Sequence, residues 1–133
     1  MKLTRASSYA IHALVFMAAE KQNRPVASHH IARARGIPER FLLKVLKPLV
    51  SARVLHSVKG PNGGYRLARA ANDITILQVL EAVDGPIRGQ PTFSREEANG
   101  SLNRRLEQIC TQAAEQVRKH LQRVRISDLA KKA

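Results

Sequence analysis

Apolar residues recur along the first half of the chain at steps of three and four. Tyr9, Ala13, Leu14, Met17 and Ala18 mark one face of a helix that Thr4 can cap, running to about Lys21 before Asn23-Arg24-Pro25 ends it. A second helix is predicted from Ser28 to Arg35, stopped by Gly36. Pro38 opens a third, where the N–H that proline lacks would have had no partner. The inner face of this helix is read as Phe41, Leu42, Val45, Leu46 and Leu49; it ends near Ser51, and Pro48 predicts a kink or an early frayed end. The period then changes. Val54–Lys59 and Tyr65–Ala68 read as short strands, and the Gly-rich connection Gly60-Pro61-Asn62-Gly63-Gly64 makes them a hairpin. A fourth helix, capped by Asp73 or Thr75, carries Ile76, Leu77, Val79, Leu80 and Val83 and closes at Gly85. Residues 85–101 have no period and read as a long loop. A long helix is expected from about Ser101 to Val124, and Ser127 is placed to cap a final turn over 128–132.

Two of these elements constrain each other. Over Ser28–Lys47 the second and third helices have the layout of a helix-turn-helix, in which two helices cross around a tight turn. Ala32 supplies the small residue at the crossing, Gly36 the turn residue tolerant of positive φ, and Ile31, Ile37, Leu42 and Val45 the apolar lock. Any helical hairpin could place Ala and Gly this way, but here the strand hairpin follows the third helix directly, which is the order of a winged helix. The fold class is therefore mainly α: a winged helix-turn-helix domain over residues 1–84, a loop over 85–100, and a long helix with a C-terminal turn over 101–133. With 44% apolar residues but 4% aromatics and no Trp, the core must be aliphatic.

Charge gives this fold a partner. Residues 1–72 hold 13 Lys/Arg against two acids, a net +11, whereas residues 73–133 carry only +2 of the chain's +13. The first half is thus suited to a polyanion. On the third helix Glu39, Arg40, Leu43, Lys44 and Lys47 are expected to point outward. Arg40 has the planar fork for a bidentate contact to guanine, and Leu43 can touch a thymine methyl. Lys44 and Lys47 suit phosphates, which position a protein without reading sequence. Glu39 either accepts from cytosine or, as preferred here, only favours the helix N-terminus. Lys59, Asn62 and Arg66 sit at the wing, where Gly60, Gly63 and Gly64 would let backbone N–H groups approach DNA. Lys2, Thr4, Ser8 and Tyr9 at the start of the first helix, and Ser28 at the start of the second, complete the candidate contact set.

The opening Met1-Lys2-Leu3-Thr4, then Tyr9-Ala10, Arg35-Gly36-Ile37, the wing run Val58–Tyr65 and Ile76–Val83 followed by Asp84 resemble the IscR/NsrR/CymR family of bacterial regulators. The hallmark is Lys59-Gly60-Pro61-Asn62-Gly63-Gly64-Tyr65, and the likeness spans nearly the whole chain. The resemblance implies a winged-helix homodimer that binds double-stranded DNA at an inverted repeat, with the long helix as dimer element. Leu102, Leu106, Ile109, Cys110, Ala113, Val117, Leu121 and Val124, stepping by three and four, are its candidate interface. Many members hold an iron–sulfur cluster through three cysteines in the loop and at the start of that helix. Residues 85–105 here contain none, so no cofactor and no metal site is expected. Cys110, the single cysteine, follows Ile109 on the apolar stripe and reads as a small buried hydrophobe rather than a redox thiol. His12, His29 and His30 have no ligand spacing. An effector or partner protein is left open.

Other classes fit less well. No nucleophile–base–carboxylate set or phosphate loop is present, so an enzyme is not expected. A non-specific basic nucleic-acid binder would share the charge but does not require helix pair and wing in register. The N-terminal run Tyr9–Ala19 imitates a secretory signal only faintly, being interrupted by His12, and no stretch approaches the roughly 20 apolar residues of a membrane span. The expected location is the cytoplasm, without membrane contact.

Overall fold

Leu14 and Met17 lie out of solvent on the first helix, α1 (Arg5–Ala18), and the other elements assemble around them. The structure is a computed structural model that describes residues 2–89 and 100–131. It contains α2 (Ser28–Arg35), α3 (Glu39–Ser51), β1 (Leu55–Val58), β2 (Gly64–Leu67), α4 (Ile76–Asp84), α5 (Ser101–Arg123) and α6 (Ile126–Ala130), with a short 3-10 turn at Ala71–Asp73. Helices α2, α3, α4 and α6 and strand β2 all pack on α1. The core they enclose is aliphatic, built from Leu14, Ile31, Leu42, Leu46, Leu49, Leu55, Ile74, Val79 and Ile126.

Helix ends follow local chemistry. Thr4 caps α1 by accepting from the Ser7 N–H at 3.0 Å. The helix stops at Ala18, three residues before the expected Lys21. The N–H groups of Ala19 and Glu20 bond the carbonyls of Phe16 and Met17, an i→i+3 tightening that winds the last turn out of α geometry. Thr75 and Gln78 form a reciprocal capping box at the start of α4. Helix α3 runs through Pro48 to Ser51 and ends on Arg53, whose φ of 61° is left-handed. The N–H groups of Arg53 and Val54 then return to the carbonyls of Val50 and Leu49. The α6 cap is Arg125, not Ser127: the Asp128 carboxylate accepts from the Arg125 N–H at 2.9 Å.

Two placements differ from the sequence pattern. Phe41, assigned to the inner face of α3, is 39% exposed. At about 100° per residue it falls on the flank of the arc formed by Leu42, Val45, Leu46 and Leu49. The C-terminal segment, read as an element apart, helps close the N-terminal core. The Ile126 N–H donates to Ile74 at 2.9 Å, the Ile76 N–H donates to Val124 at 2.8 Å, and Ile126 is buried among core residues. The 90–99 part of the expected loop lies outside the described residues.

Candidate nucleic-acid interface

The turn between α2 and α3 has the geometry its residues demand. Gly36 adopts φ 65° and ψ 35°, and the Ile37 N–H reaches back to the Ala32 carbonyl at 2.9 Å. Ile31, Ala32, Ile37, Leu42 and Val45 are all buried, so the helix pair is locked from inside. A polar tie joins the two helix starts: Ser28 donates its hydroxyl to the Glu39 carboxylate at 2.9 Å. This engages two of the residues expected at DNA.

Glu39, Arg40, Leu43, Lys44 and Lys47 are exposed on α3, as expected from its period. Phe41, which the sequence reading placed inside, joins them. The Arg40 guanidinium lies 4.8 Å from the Phe41 ring centroid and the Lys44 ammonium 5.8 Å from it. Among the described residues, ion pairs join only Arg24 to Glu20 and Arg118 to Glu81, so the cations of α3 and the wing carry uncompensated charge.

β1 and β2 form an antiparallel ribbon with Val58 opposite Gly64 and Leu55 opposite Leu67. Tyr65 also exchanges two backbone bonds of 2.8 Å with Val26, which stitches the wing to the segment before α2. The wing glycines serve this construction first. A Cβ on Gly63 would stand 2.1 Å from the Val58 carbonyl oxygen, and one on Gly64 2.3 Å from that of Val26. The Gly63 N–H is itself bonded to the Gly60 carbonyl at 3.0 Å, so it is not free for a phosphate. Lys59, Gly60, Asn62 and Arg66 are exposed. Pro61, Asn62 and Gly63 form one wall of an open cleft of about 820 Å³, and His29 and His30 of α2 line it too, so wing tip and α2 start are neighbours.

Of the N-terminal candidates, Lys2 and Thr4 are exposed while Ser8 and Tyr9 are half-buried, Tyr9 packing against the core. Thr4 donates its hydroxyl to Asp84 at 2.8 Å, and the fully buried Ser7 donates to the same carboxylate at 2.5 Å. The sequence reading missed Ser7 in this role. Only the run of Thr4, Ser7 and Ser8 at the start of α1 hinted at it, and nothing local pointed to Asp84.

The α5 stripe divides. None of the helix is fully buried; Leu102 is 65% and Ile109 60% exposed, with Leu106 and Ala113 also in solvent. Leu121 and Val124, by contrast, pack against the chain's own core, and Cys110 and Val117 are half-buried and line one cleft with Thr4 and Leu80. Arg118 pairs with Glu81, which also accepts from the Ile87 N–H at 3.0 Å, so α5 is clamped to α4. No helix among the described residues is long and apolar enough to cross a membrane.

Comparison with known proteins agrees with this arrangement. Residues 3–132 match the Rrf2 family, described as an iron-dependent transcriptional regulator. The chain is 33% identical over 102 residues to the HTH-type transcriptional regulator IscR of Photobacterium profundum, covering 77% of this chain and 59% of that protein. It is 42% identical over 86 residues to protein aau3 of Rhizobium meliloti, covering 63% and 54% respectively. The chain thus spans little more than half the length of these relatives. Its fold matches that of CymR, the global cysteine regulator of B. subtilis, with a TM-score of 0.81 at 22% identity over 100% of this chain and 98% of that one. The family's iron prompts a test of the donors present. The sequence has one thiol, Cys110, half-buried on α5, and no cysteine between 85 and 105. Asp84, which lines one cleft with it, accepts hydrogen bonds from Thr4 and Ser7. Among the described residues no three His, Cys, Asp or Glu converge. This donor set does not fit a thiolate-held iron–sulfur cluster.

Proposed function

Because the chain belongs to the Rrf2 family of transcriptional regulators, we propose that it is a sequence-specific DNA-binding repressor, acting in the cytoplasm as a homodimer on an inverted repeat. The observation that carries this reading is the outer face of α3: Arg40, Lys44 and Lys47 stand exposed, with no ion-pair partner among the described residues, on the second helix of a locked helix-turn-helix. A helix so placed enters the major groove with its first turn at the base edges. Arg40, in that turn, reads guanine; Lys44 and Lys47 hold phosphates; Lys59, Asn62 and Arg66 of the wing grip the backbone beside it. Lys2 and the start of α2 extend the same contact. Glu39, held by Ser28 in the first turn of α3, supports the helix N-terminus rather than a base.

Symmetry follows from α5. A stripe of Leu102, Leu106, Ile109 and Ala113 left in solvent suits a second copy of the same helix, and a two-fold dimer matches a two-fold operator. Occupying such a site excludes other proteins from that DNA, which is repression in its simplest form. No cluster is required for this binding. Selection of bound fragments from random duplex DNA tests the reading: one inverted repeat should be enriched, and recovery of unrelated sequences in proportion to input would overturn it.

A further inference from the structure

We propose that Phe41 is a specificity-determining residue: it reads the C5-methyl group of a thymine adjacent to the guanine read by Arg40. This rests on the DNA-binding reading above and adds to it what α3 recognises.

The argument begins with an anomaly. Phe41 lies one residue from Leu42, which is fully buried, yet 39% of Phe41 is in solvent on the recognition helix of a +11 half-chain. An exposed phenyl ring there is explained neither by the core, which is filled by Leu42, Leu46 and Leu49, nor by helix propensity, which ranks Phe below Leu, Lys or Arg. The ring has two cationic neighbours, Arg40 at 4.8 Å and Lys44 at 5.8 Å. Such contacts restrict a long side chain that would otherwise sample many rotamers, so less freedom is lost when the Arg40 fork meets a base.

Geometry then limits what the ring can meet. Stacked bases rise about 3.4 Å along a strand, comparable with the separation of the Arg40 guanidinium and the ring. When the fork lies on guanine O6 and N7, the ring lies over a neighbouring base pair. In the major groove the one apolar feature of any base pair is the thymine methyl. Leu43 is also exposed, but two residues along an α-helix put it on the opposite flank of the cationic strip. Glu39 is tied to Ser28 and does not compete for the same edge. The reading unit is thus Arg40 with Phe41, and its target is a guanine–thymine step.

The test removes one methyl group at a time. Duplexes bearing the site enriched by the wild-type protein are made with each thymine replaced in turn by deoxyuridine, and binding is measured at fixed salt. For wild type, uracil at one thymine per half-site, beside the guanine lost in Arg40→Ala, should weaken binding about fourfold, the effect of burying about one methylene-sized group. Phe41→Ala should erase that uracil effect, whereas Leu43→Ala should keep it. Phe41→Leu, which retains an apolar contact and guards against a folding defect, should keep the methyl preference and relax discrimination at the guanine. Equal binding of all uracil duplexes, or an undiminished uracil effect in Phe41→Ala, would overturn the proposal while leaving sequence-specific binding intact. Failure of the wild type to enrich any site would instead overturn the DNA reading and this inference together.

Discussion

Ser7 donates its hydroxyl to the Asp84 carboxylate at 2.5 Å across 77 residues of sequence, joining the start of α1 to the end of α4. Ser7 is fully buried, and Asp84 brings a negative charge to a helix N-terminus that has no acid of its own in its first turn. Thr4 completes the triangle by capping α1 and donating to the same carboxylate. Asp84→Ala should therefore leave a buried hydroxyl without its partner and cost about 1–3 kcal/mol in urea unfolding. Asp84→Asn, which keeps an acceptor, should cost less. Equal stability of the alanine variant and wild type would contradict this role.

Gly36 supports a second stability prediction. Its φ of 65° is left-handed and no atom stands within 4 Å of where a Cβ would go, so Gly36→Ala strains the backbone without a clash. The expected cost is about 1–2 kcal/mol, read as a lower unfolding midpoint at unchanged slope. A neutral substitution would mean that the turn accepts another conformation.

The two ends of α5 should respond differently. Leu106→Glu with Ile109→Glu places charge on the solvent-exposed stripe and should give folded monomers by sedimentation equilibrium, with much weaker operator binding. Leu121→Ala removes packing from the chain's own core and should lower thermal stability in the monomer itself. Dimers that persist in the double glutamate variant would place the interface elsewhere.

Much of this was legible from the chain. The α2–α3 pair was bounded by Ser28, Gly36 and Pro38, whose turn chemistry is local, and the wing by a change from helical to strand period. What escaped depends on distance in sequence. The Ser7–Asp84 bond, the return of Ile126 to Ile74 and the packing of Leu121 leave no local mark, because an apolar stripe does not state which surface covers it. Phe41 escaped for another reason: hydrophobicity alone assigned it inward, although its angular position is that of a flank. The wing glycines were read as openings for DNA. Gly63 and Gly64 are also required by the carbonyls of Val58 and Val26, a constraint with no local mark.

Counterion release separates phosphate contacts from base contacts. Lys44→Ala and Lys59→Ala should each flatten the slope of log affinity against log salt by roughly one unit and weaken all sequences alike. An unchanged slope in both would remove these residues from the DNA backbone.

The central claim, that α3 reads bases through Arg40, is tested most directly by affinities for a panel of single-base operator variants at fixed salt. Wild type should discriminate at a guanine in each half-site. Arg40→Ala should lose about 1–3 kcal/mol of discrimination at that position alone, with little change on unrelated DNA. An Arg40→Ala protein that weakens on every variant by the same factor would show Arg40 to be a phosphate contact and contradict the account.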